Sequence, residues 1–137
     1  MVAISQQDLK VILLFGIHIA RIDGEIAPFE RKMLARFADA MKLTQEDRAE
    51  LLNQKFSLAE GLKQLKNTES KQLLLKTLCA IAHCDGDTAD VEVDFINKVT
   101  EKMGTAVFIL SRSEWGRYED EVFSDIKAIK DAADLTL

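Results

Sequence analysis

Asp23-Gly24-Glu25-Ile26-Ala27-Pro28-Phe29-Glu30 returns 62 residues later as Asp85-Gly86-Asp87-Thr88-Ala89-Asp90-Val91-Glu92. Both stretches read D-G-acid-x-A-x-x-E, and each stands between a long apolar segment and an amphipathic one. An acidic corner between two helices, present twice, is the element around which the chain is organised. The match extends outward at the same offset: Leu13 pairs with Leu75, Ile19-Ala20 with Ile81-Ala82, Leu34 with Ile96, Arg36 with Lys98 and Met41 with Met103. Apolar and charged positions staying in phase at one fixed offset indicate two copies of one supersecondary unit. Two copies predict a compact pseudo-symmetric domain, because an open solenoid needs at least three.

The chain has 137 residues, 47% of them hydrophobic, enough for one core and too few for two. A single proline, six glycines and no low-complexity run leave no linker to divide it. With 30% charged residues and helix-spaced apolar positions, the composition predicts an all-α fold. The formal charge of −5 and pI near 5.1 argue against nucleic acid, whose binding rests on a cationic face, and favour cations or basic protein surfaces as partners. The most apolar run, Val11 to Ala20, is half of what a bilayer span requires, and no basic leader or cleavage site marks a signal peptide. Cys79 and Cys84, five apart on one helix, are out of reach of a disulfide, which points to free thiols and a cytoplasmic setting.

In chain order, Ser5 with Asp8 caps a first helix that is apolar nearly all round and ends at Gly24. Pro28 opens a second helix to about Lys42, expected to bury Phe29, Met33, Leu34, Phe37 and Met41. Thr44 with Asp47 and Ser57 with Glu60 start two short helices, Gln45 to Asn53 and Leu58 to Lys66, burying Leu51, Leu52, Leu58, Leu62 and Leu65. The second copy follows: an apolar helix after Thr68 ending at Asp85-Gly86, then Asp90 to Met103 burying Val91, Phe95, Ile96 and Val99. Ala106 to Leu110 is too short to assign. Ser113 to Ala133 reads as a last helix with Trp115, Tyr118, Val122, Ile126 and Ile129 along one stripe. The expected architecture is thus one domain over 1–137, about seven helices, with repeat one near 5–66, repeat two near 67–104 and a helical extension over 105–137.

The corners carry the functional argument. Asp23 and Asp85 stand at helix carboxyl ends, where the macrodipole disfavours an anion by about 0.3–1 kcal/mol. Stability alone does not select aspartate there twice. Glu30 and Glu92 fall in the first turns of the next helices, where an anion is favoured and a cap is expected. The bland reading is that each aspartate accepts N–H groups of the following helix and locks the corner. The sharper one is that repeat symmetry brings Asp23, Glu30, Asp85 and Glu92 together. Carboxylates about 5–6 Å apart repel by roughly 3 kcal/mol per pair at an effective dielectric near 20, so convergence calls for protons or a cation. An all-oxygen set suits Ca²⁺ or Mg²⁺, and Zn²⁺ less well. Glu25, Asp87 and Asp90 add ligands or lower the local potential. The loops lack the EF-hand spacing, and Cys79, His83 and Cys84 do not have zinc spacing. There is no nucleophile elbow, phosphate loop or H-E-x-x-H. Paired carboxylates could serve acid and base chemistry, but these are symmetric copies with nothing to separate their roles, so a non-enzymatic protein is expected.

Ala20-Arg21-Ile22-Asp23-Gly24-Glu25-Ile26-Ala27-Pro28-Phe29-Glu30 and Ala80-Ile81-Ala82-His83-Cys84-Asp85-Gly86-Asp87 resemble the twin A-x-x-D-G…E signatures of TerB-like tellurite resistance domains, also found at the front of DjlA-type co-chaperones. The resemblance spans about residues 5 to 104. It implies an all-α fold of two helical units and a non-enzymatic role in tellurite or broader stress resistance. It also implies a metal site at the acidic motifs, and protein partners that include membrane-associated ones, placing the protein in the cytoplasm or peripheral to the inner membrane. Cys84 before the second Asp, and Asp90 in place of Pro28, depart from the pattern. The alternative reading is an interaction scaffold whose acidic face docks a basic partner without metal. Monomer and homodimer both remain open.

Overall fold

The computed structural model describes residues 4–22, 24–84, 89–104 and 111–135. Among these the secondary structure is helical: α1 (Gln6–Arg21), α2 (Pro28–Ala40), α3 (Gln45–Asn53), α4 (Leu58–Gln64), α5 (Thr68–His83), α6 (Asp90–Met103), a 3-10 turn at Arg112–Glu114, and α7 (Arg117–Leu135). The starts of α1 and α5 are 6 and 68, and those of α2 and α6 are 28 and 90, an offset of 62 in both cases. Asp23, Asp85 and the unassigned Ala106 to Leu110 lie outside the described residues.

Helices α1, α3, α4 and α5 begin at side-chain caps. The Ser5 hydroxyl accepts the Asp8 N–H at 3.0 Å while Asp8 returns a carboxylate oxygen to the Ser5 N–H at 3.2 Å. Thr44 and Asp47 repeat the exchange for α3, and Asn67 accepts the Ser70 N–H at 2.7 Å for α5. The N-caps of α2 and α6 are alanines with no acceptor, so only the returning half of the box exists there, made by Glu30 and Glu92. The chain leaves α1 through Gly24, whose φ of 121° is strained for any residue with a Cβ.

The two apolar helices, α1 and α5, form the centre, and the rest is laid around them. Gly16 lets them close: a Cβ there would stand 2.7 Å from Ile81 Cδ1 and 3.2 Å from Leu34 Cδ2. Phe15, Ile19, Leu74, Leu78 and Ile81 are sealed from solvent in the shared core. α7 runs antiparallel to α5, since Gly116 lies against His83 at one end and Asp125 meets Lys76 further along. Both helix starts sit near the far part of α7: Lys130 donates to Gln6 at 2.7 Å, and Ile4, Thr68, Glu69 and Ile129 line one cleft. α1 and α5 therefore point the same way, and their carboxyl ends share one end of a single compact domain.

Three expected core residues are not in the core. Phe29 is 61% exposed, Val91 44% and Leu52 43%. The buried stripe of α2 runs Glu30, Met33, Leu34, Phe37, Ala38, and that of α6 runs Glu92, Phe95, Ile96, Val99. Glutamate takes the stripe position in each first turn, which pushes Phe29 and Val91 round to the side of Lys32 and Arg36, or of Asp94 and Lys98. Leu52 falls off the α3 stripe in the same way, while Leu58 and Leu62 are half-buried. α2 stops at Ala40 rather than Lys42, and Lys42 turns the chain at φ 59°. α4 stops at Gln64 rather than Lys66. The last helix begins at Arg117 rather than Ser113, with Trp115, Tyr118, Val122 and Ile126 buried as expected and Ile129 half-buried.

Candidate functional site

Glu30 and Glu92 have matching settings. Glu30 Oε1 accepts the Ala27 N–H at 3.1 Å and Glu92 Oε1 accepts the Ala89 N–H at 2.9 Å, each closing the first turn of its own helix. Both residues are buried, at 4% and 3% exposure. The expected capping role is therefore real, and it holds each carboxylate rigidly beside its corner. A carboxylate offers about four lone-pair positions, so a cap consumes part of its acceptor capacity.

The flanks of the two corners meet. Ile22, the residue before Asp23, lines a groove of about 530 Å³ together with Val91 and Asp94 of α6's first turns. His18 lines it as well, stacked on Phe56 with ring centroids 4.0 Å apart and planes 12° from parallel. Phe95 tilts against the same imidazole at 4.9 Å. Burial lowers the His18 pKa below its ordinary value, so the ring is neutral near pH 7. Lys98 completes the rim. Sequence reading did not anticipate Phe56, because it lies in the non-periodic connection between α3 and α4 and carries no pattern of its own.

Glu25 and Asp90 are exposed at the corners, while Asp23, Asp85 and Asp87 lie outside the described residues. Among the described residues no group of three or more His, Cys, Asp or Glu is placed to hold a metal ion. Cys79 and Cys84 are free thiols, the first fully enclosed and pushed up by burial to about 12. No described helix is long and apolar enough to cross a membrane.

No family model, curated protein or solved structure matches the chain. The residues themselves therefore carry the functional argument.

Proposed function

We propose that this chain is a non-enzymatic, TerB-like stress-response accessory domain that binds a divalent cation at its paired acidic corners. The observation that carries the reading is the common end of α1 and α5, where Ile22 of one corner and Val91 beyond the other line a single groove. Two corners built on the same offset and opening at one end supply a reason for aspartate at two dipole-disfavoured positions. Asp23, Glu30, Asp85 and Glu92 are the proposed ligands, the two glutamates being held by the first turns of α2 and α6. Hard oxygen donors favour Ca²⁺ or Mg²⁺ over Zn²⁺. The accessory role, the cytoplasmic or inner-membrane-peripheral location and the membrane-associated partners rest on the twin signature alone.

Calorimetric titration of metal-free protein with each of the three ions tests the cation. Saturable heat below millimolar metal is expected, with its loss in the Asp23→Asn, Asp85→Asn double variant. Absence of heat at millimolar metal removes the proposal.

A second reading is favoured by the exposed Phe29 and Val91, equivalent positions beside the two corners. Large apolar side chains next to exposed acids suit a scaffold that docks a basic, partly apolar protein surface without metal. Charge reversal at Glu25 and Asp87 separates the two: loss of partner capture supports docking at the acidic face, and metal heat that survives the reversal supports the cation site.

A further inference from the structure

A second concavity lies away from the α1–α6 groove, between α1, α2 and α3. Its volume is about 160 Å³ and its surface is mostly apolar. Ile17, Leu34 and Leu51 form its floor, each nearly buried, and Ile26 and Leu52 stand at its sides. The gap exists because α2 presents alanine twice, at 35 and 38, where longer side chains would close it against α3. An apolar cavity of about 150 Å³ takes a benzene-sized molecule, so this one has room for about six carbon atoms.

Its mouth is cationic on a protein whose net charge is −5. Arg31 and Arg48 line it, and the Arg21 guanidinium donates to the Leu52 carbonyl at 3.1 Å, adding a third arginine nearby. Two of the three have work already: Arg21 holds the end of α3, and Arg48 donates to Asp39 Oδ1 at 2.8 Å and to the Leu43 carbonyl at 3.1 Å. Arg31 is exposed and its side chain makes no ion pair with any described residue. A guanidinium with no described ion-pair partner, over an apolar slot, is complementary to a molecule with an anionic head and a short hydrocarbon tail. A planar carboxylate matches the two-pronged donor geometry of arginine.

We infer that this pocket binds a short-chain amphiphilic carboxylate of about six carbons in all, its tail packed against Ile17, Leu34 and Ala38 and its head paired with Arg31. The inference uses none of the corner carboxylates and stands apart from cation binding. Because Arg31 is exposed, its contribution is screened by salt and modest in size. The tail supplies most of the affinity and the head supplies the preference.

The test is a methyl-resolved NMR titration of the full chain with hexanoate and, separately, with hexan-1-ol, at low and at high salt. Hexanoate is expected to shift the Ile17, Ile26, Leu34 and Leu52 methyls saturably, about threefold tighter than the alcohol at low salt, with the gap narrowing at high salt. Arg31→Gln should equalise the two ligands without displacing the alcohol. Ala35→Phe, at an exposed position on the pocket wall, should abolish both while leaving the helical spectrum unchanged. Shifts that fail to saturate, equal binding of acid and alcohol by the unsubstituted protein, or a preference that survives Arg31→Gln would each overturn the assignment.

Discussion

Glu30 spends its carboxylate on the Ala27 N–H in a position where Ala27 can give nothing back. Glu30→Ala leaves that N–H without its acceptor and is expected to cost about 1–2 kcal/mol in urea unfolding. Glu30→Gln keeps an amide oxygen in the same place and should cost less than half as much; equal losses would show that charge, not the cap, is what matters. His18 makes a different prediction. Its folded pKa is lowered by burial between Phe56 and Phe95, with Asp94 and Lys98 the charged groups on the same groove. As pH falls through about 6.5 the unfolded chain takes up this proton first, so stability is complete above that value and declines below it. The His18→Phe variant should lose less stability between pH 7.5 and pH 5 than the unsubstituted protein does. A parallel decline in both would assign the acid sensitivity elsewhere.

At the level of helices, close approach is set by two glycines. Gly61 of α4 lies so near the Phe15 ring that a Cβ would stand 2.7 Å from its Cζ. Phe15 is fully enclosed and meets Phe56 edge-on at 5.0 Å, so it has no room to yield. Gly61→Ala should therefore destabilise by about 1–3 kcal/mol, against the gain of roughly 1 kcal/mol that alanine brings to an ordinary helix interior. A thermal melt shifted upward would refute that crowding.

The helices themselves were largely legible beforehand, because Ser5, Thr44, Ser57 and Pro28 are unambiguous starts and the apolar spacing is regular. Phe29, Val91 and Leu52 were not. Spacing alone cannot tell which of two adjacent residues takes the inward position in a first or last turn, and Glu30 and Glu92 took it through a backbone bond that no hydropathy pattern encodes. The joining of α4 to Phe15 was equally hidden, since it depends on a missing side chain. Of the site, the sequence showed the doubled motif and the capping role of its glutamates. It gave no sign of Phe56 stacked on His18, nor of the slot left by Ala35 and Ala38, because both arise between segments distant along the chain.

For the molecule as a whole, α5 is in contact with α1, α2, α6 and α7, and one continuous cluster of buried side chains joins them. Such a core should unfold in a single step. Cys79 offers a direct reading, since its enclosed thiol, held near 12, reacts only when α5 is released. Its modification by a thiol reagent in rising urea should follow the loss of helical ellipticity point for point. Early exposure of Cys79 would mean that part of the bundle opens on its own. α7 matters to that cooperativity because Lys76 of α5 lies 3.2 Å from Glu121 and 3.1 Å from Asp125, two carboxylates that more than offset its burial and raise its pKa. The same antiparallel pairing sets Trp115, the sole indole of the chain, one residue from the glycine that abuts His83. That places an intrinsic fluorophore next to the carboxyl end of α5, so a spectrometer can follow this end of the helix during unfolding with no label attached.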